Sequence, residues 1–120
     1  MGVCFKERMM SCEGVWGVEM KGPYGWERLA TAFMRDGKYL GASADHYSVG
    51  SYKEDGDNLE ISMVVKQYGA IRTIFGRKSA DKLQLISKGK IKKNKITCTS
   101  TAKGIKGFDI QLRFTRLDSL

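Results

Sequence analysis

The chain has 120 residues, 42% of them apolar, and a formal net charge of +8. That length supports one domain around about one core, and that apolar share excludes a disordered tail. No apolar run approaches the roughly 20 residues of a membrane-spanning helix, and the start of the chain carries no apolar stretch of the secretory kind.

Residues 1–10 read as a flexible N-terminal extension, with Met9 or Met10 as a working start, ahead of a single β-barrel domain over 11–120. Lys6 occupies the position where a myristoylation signal needs Ser or Thr. Residues 14–20 read as a first strand with Trp16, Val18 and Met20 on one face. Pro23 and the glycines around it mark a turn. Residues 26–34 fit both a helical stripe and a strand; among so many strands, a strand is the reading taken. Asp36-Gly37 is a strong hairpin signal. A short third strand over 39–44 and a fourth over 46–53 follow. In the fourth, Tyr47, Val49 and Ser51 share one face, and Ser48, Gly50 and Tyr52 the other.

The clearest alternation is in residues 59–66. Leu59, Ile61, Met63 and Val65 interleave with Glu60, Ser62, Val64 and Lys66, so one face is apolar and the other mostly polar. Ahead of it stands Glu54-Asp55-Gly56-Asp57-Asn58. Gly56 accepts φ > 0 without steric cost, and Asp and Asn bond to their own backbone in turns. Three carboxylates on one turn are costly to bury, so they project into water. Further strands are expected over 71–77, 83–91 and 96–102, and a last one with Phe108, Ile110, Leu112 and Phe114 facing inward. Lys92-Lys93-Asn94-Lys95 is a turn. Eight or nine short strands with tight turns predict an all-β, antiparallel, up-and-down barrel, because closure removes aggregation-prone edges.

The charge is unevenly placed. Residues 1–65 hold 7 Lys/Arg against 10 Asp/Glu, net −3, and residues 66–120 hold 14 against 3, net +11. Three cysteines, Cys4, Cys12 and Cys98, read as free thiols of a reducing cytoplasm. Their spacing matches no zinc pattern, and His46 is the only histidine, so no metal and no cofactor are expected. Asp45, His46 and Ser48 are too close in sequence to argue for a triad, which is recognised by geometry. The chain reads as a non-enzyme.

The order of motifs resembles the GrlR family, small bacterial negative regulators of type III secretion gene expression. The resemblance covers residues 14 to 68. It rests on Gly14-Val15-Trp16, on Gly37-Lys38-Tyr39-Leu40-Gly41, on Tyr47 with Gly50-Ser51-Tyr52, on the acidic turn, and on the alternating strand ending at Tyr68. It implies a lipocalin-like (calycin-like) eight-stranded barrel, dimeric, with an acidic surface loop that holds a basic helix-turn-helix activator. Glu54, Asp55 and Asp57 fall on that loop, and Gly56 stands where the family has a further acidic residue.

Three surfaces follow as candidates. Glu54, Asp55 and Asp57 would steer a basic protein, such as a transcriptional activator, by long-range attraction. Lys88, Lys90, Lys92, Lys93 and Lys95 would bind an anion or nucleic acid, or serve edge protection and solubility. The basic face of one subunit could also meet the acidic turn of another. Finally, Trp16, Met20, Tyr39, Tyr47, Met63, Phe108 and Phe114 would line the barrel interior, either as a packed core or around a small hydrophobic ligand.

Overall fold

A computed structural model of the chain describes residues 12–67, 82–107 and 109–120. Eight antiparallel strands close into an up-and-down barrel: β1 (Gly14–Gly22), β2 (Gly25–Arg35), β3 (Lys38–Ala42), β4 (His46–Asp55), β5 (Asn58–Gln67), β6 (Lys82–Lys92), β7 (Lys95–Ala102) and β8 (Asp109–Asp118). Each strand pairs with its sequence neighbour, and β8 returns to β1. The all-β barrel expected from the alternation is the fold observed. The strand expected over 71–77, the extension at 1–10 and Phe108 lie outside the described residues.

Period-two burial explains why these residues are strands. On β5, Leu59, Ile61, Met63 and Val65 are buried while their neighbours face water or stand half-buried. On β7 the inward set is Ile96, Cys98, Ser100 and Ala102, with exposed residues between. Trp16, Met34, Ile61, Leu85, Ile96 and Phe114 are fully buried in one core. Tyr39 meets Phe114 edge to face, with ring centroids 6.5 Å apart. The two interior serines Ser87 and Ser100 are cross-strand partners and satisfy each other at 2.6 Å, as buried hydroxyls must.

On β2, Ala32 and Met34 are buried, whereas Phe33 is 40% exposed. A register shift pairs Val18 with Ala30 but Glu19 with Arg28, leaving Leu29 as the extra residue of a bulge. Leu29 packs against the core from there.

Tyr47 corrects the expected interior set. The inward residues of β4 are His46, Ser48 and Tyr52, and Tyr47 is half-buried on the outward face beside Ala42 and Lys66. The two faces of this strand are similar in apolar content, so alternation alone did not choose between them. Tyr52 and a hydrogen bond between Ser48 and the Tyr39 hydroxyl fill the inward side. Strand β3 ends at Ala42, short of the expected Ala44, because the Ser43 backbone N–H donates to the carbonyl of His46 at 2.9 Å and turns the chain.

Register places three hairpins at one end of the barrel. Gly14 pairs Met34, Lys38 pairs Ser51, Asn58 pairs Lys90, and Lys95 pairs Thr115. The β2–β3, β4–β5 and β6–β7 turns therefore sit together with the chain before β1 and after β8. Cys12 and Glu13 fold across this end. Trp16 Nε1 donates to the Cys12 carbonyl at 2.9 Å, and the Arg116 guanidinium lies 4.4 Å above the Trp16 ring and donates to the Glu13 carbonyl. Arg116 Nε also donates to Asn94 Oδ1 at 3.0 Å.

Candidate binding surface at the hairpin end

Glu54, Asp55 and Asp57 are exposed on the β4–β5 hairpin. Gly56, at φ 63°, makes the turn. Glu54 is not wholly given to solvent. Its Oε1 accepts the Cys12 backbone N–H at 3.1 Å, tying the chain before β1 to the hairpin. Burial, reinforced by the Glu54 carboxylate, pushes the Cys12 thiol well above its ordinary range. Asp57 anchors the next hairpin, its carbonyl accepting the Ile91 N–H at 2.8 Å. Its Oδ1 lies 3.9 Å from Lys90 Nζ, with both side chains about two-thirds exposed. At that distance and exposure the pair stabilises by well under 1 kcal/mol.

The lysine cluster sits beside this acidic turn. Lys88, Lys90 and Lys92 face outward on β6, Lys93 occupies the turn, and Lys95 begins β7. Lys88 stands directly opposite Glu60, which stands opposite Lys53 on its other side. Asp55, Asn58, Glu60, Lys53 and Lys88 border a common cleft of about 380 Å³. A second cleft, of about 490 Å³, is lined by Lys90, Lys92, Lys93, Lys95 and Thr97. The two candidate surfaces that the sequence presents as separate blocks are thus neighbours across the β5–β6 ladder, and the carboxylates are interleaved with ammonium groups along their shared border.

Of the expected interior set, Trp16, Tyr39, Met63 and Phe114 are buried, and Met20 is partly so. Burial pushes the Tyr39 hydroxyl far above its ordinary range, and it pushes Cys98 from 9.0 up to about 12. Cys12 and Cys98 are free, buried thiols.

At the opposite end, His46 Nδ1 is 2.8 Å from Ser43 Oγ and 3.0 Å from Asp45 Oδ1. Both partners meet the same ring nitrogen, whereas a nucleophilic triad places the nucleophile and the orienting carboxylate on opposite nitrogens of the histidine base. Ser48 is inside the barrel and takes no part. The cluster is a loop lock, and Ser43 was the member that sequence reasoning passed over. Also missed were two cation–π stacks, Arg116 on Trp16 and Arg113 on Trp26, the latter with Arg113 held by Glu19 at 2.7 Å. These partners are about a hundred positions apart, and no local pattern points to them. Among the described residues, no three His, Cys, Asp or Glu side chains gather as a metal site requires, and no helix is long and apolar enough to cross a membrane.

A further outward feature emerges from the register. Val15 pairs Phe33, Phe33 pairs Leu40, Leu40 pairs Val49, and Val49 pairs Val64. These form one apolar row across five strands, with Leu40 54% exposed.

Compared with known proteins, the sequence matches no family model and no curated protein.

Proposed function

We propose that this barrel is a GrlR-like regulatory binding protein, not an enzyme, that acts in the bacterial cytoplasm by holding a basic transcriptional activator on the β4–β5 hairpin. The observation that carries this reading is the grouping of three exposed carboxylates at one hairpin tip, Glu54 and Asp55 at the end of β4 and Asp57 in the two-residue turn, on a ladder that runs the full length of β4 and β5. Carboxylates held on a stiff support lose little entropy when they meet a cationic partner. Their clustering accelerates encounter in a salt-dependent way. The lysines along the border confine the negative surface to the hairpin tip, which narrows what can dock there. The resemblance over residues 14–68 supplies the class of partner.

Self-association belongs to the same reading. A closed barrel has no strand edge to share, so two copies would meet through side chains and not by strand pairing. The row from Val15 to Val64 is an outward apolar stripe suited to the centre of such a contact. Leu40→Asp is expected to convert the dimer to a monomer in light scattering, and unchanged mass would remove the stripe from consideration.

The direct test is affinity capture from nuclease-treated lysate with the wild-type chain and with Glu54→Gln/Asp55→Asn/Asp57→Asn. The amides keep the Cys12 bond and remove only charge. The variant is expected to lose a basic protein that the wild type retains. Equal capture by both would refute the hairpin as the contact.

A further inference from the structure

We propose that the outward face of the β6–β7 hairpin binds the phosphate backbone of duplex nucleic acid, with Asp57 of the neighbouring hairpin limiting how tightly. This goes beyond the proposed regulatory contact: the phosphate-binding side chains are all different, and Asp57 alone belongs to both. Lys88, Lys90 and Lys92 alternate outward on one strand, so their Cα atoms repeat at about 6.8 Å, twice the strand rise. The line continues through Lys93 in the turn and returns at Lys95, around the cleft of about 490 Å³. A linear repeat of cations suits a linear repeat of anions.

Two features of this hairpin work against folding. Lys92 stands directly opposite Lys95, a like-charge pair that destabilises the ladder. Lys93 adopts φ 57°, a region in which the adjacent acidic hairpin uses Gly56 at φ 63°. A non-glycine residue held there is strained, and such strain concentrates at functional positions. A bound polyanion relieves the first cost, and the second keeps a cation at the tip.

The surroundings select among polyanions. An acidic peptide adding as a strand needs an open sheet edge, and the barrel is closed. A membrane surface needs apolar groups to insert, whereas the outward neighbours on β7 are the exposed Thr97, Thr99 and Thr101. Hydroxyls beside ammonium groups are donors suited to phosphate oxygens. No aromatic residue belongs to β6 or β7, so unpaired bases have nothing to stack on and a duplex backbone is favoured over a single strand. Carboxylates border the site on its β5 side, Asp57 at Lys90 and Glu60 at Lys88. Asp57 therefore competes with phosphate for Lys90.

The test is fluorescence anisotropy of the full chain with a labelled mixed-sequence duplex of about 20 base pairs. Five phosphate contacts give a slope of about −4.5 in log affinity against log salt, a loss of about 500-fold between about 50 and 200 mM. Lys90→Gln/Lys92→Gln/Lys93→Gln is expected to reduce the slope to about −2 while circular dichroism stays that of the barrel. Asp57→Asn is expected to tighten binding a few-fold. No binding at about 50 mM salt overturns the proposal, as does an unchanged slope in the lysine variant. Equal or tighter binding of poly-glutamate or phosphatidylserine vesicles at matched charge overturns the assignment to nucleic acid. The lysine variant leaves Glu54, Asp55 and Asp57 intact, so its failure is separable from failure of the regulatory contact.

Discussion

The β4–β5 and β6–β7 hairpins are neighbours, share a ladder and close with two-residue turns whose first residue has positive φ. One fills that position with Gly56 amid carboxylates, the other with Lys93 amid lysines. The acidic hairpin obeys local turn chemistry and is tied to the body through Glu54 and Cys12. The basic hairpin departs from local turn chemistry at Lys93 and faces Lys92 against Lys95. The difference teaches that the acidic turn is explained by folding alone, with the proposed binding an added use, whereas the cost carried by the basic turn is not explained by local turn chemistry. A stability cost that backbone geometry does not require calls for a reason outside the fold.

The largest expected effect comes from cutting the β6–β7 ladder inside the basic hairpin. A Cβ at Gly89 would lie 1.9 Å from the Thr97 carbonyl oxygen, a fixed backbone atom. Gly89→Val is expected to cost about 4 kcal/mol or more in urea unfolding, among the extremes for a single substitution. Near-wild-type stability would mean that the two strands are not held so close.

Alkaline pH should separate the hairpins next. Cys98 on β7 rises from 9.0 to about 12, and Tyr52 on β4 from 10.0 to about 12, chiefly through burial. Both are acids whose folded pKa lies above the unfolded one. Their contribution is present in full below the unfolded value and is lost as pH rises toward the folded value. Stability is expected to fall from about pH 9 to 12, with the thiol part, shared by Cys98 and Cys12, starting about one unit earlier. Cys98→Ser should flatten the first part of a stability-against-pH curve, and an unchanged curve would assign the loss elsewhere.

Exchanging turn residues sharpens the comparison itself. Lys93→Gly should stabilise by about 1 kcal/mol by removing the positive-φ penalty, while weakening duplex binding. Gly56→Lys should destabilise by a similar amount. If Lys93→Gly lowered the unfolding midpoint, the strain argument would fail. Removing the tether by Glu54→Ala leaves the Cys12 N–H without its acceptor and is expected to cost about 1 kcal/mol, with Glu54→Gln costing less. The smallest effect is at the border: Asp57→Asn should change stability by less than about 0.5 kcal/mol, because the pair with Lys90 is long and exposed.

Much of the barrel was legible in the chain because a strand's period and a turn's backbone angles are local properties. Leu59, Ile61, Met63 and Val65 announce the inward face of β5, and Asp36-Gly37 announces a hairpin that adopts φ 52° and 78°. The side of β4 that carries Tyr47 was not legible, since its two faces are similar in apolar content and only barrel closure chooses one. The bulge at Leu29 and the stack of Arg116 on Trp16 depend on strands separated by many residues in sequence.

The sequence alone therefore determined that this is an all-β chain with an acidic turn and a basic stretch, because composition and alternation act over a few residues. Only the tertiary structure decided that the two lie side by side at one end, with Asp57 reaching Lys90 and Glu60 facing Lys88. Register is the reason. Each pairing depends on where a strand meets its neighbour, and that is set by closing all eight strands around one core.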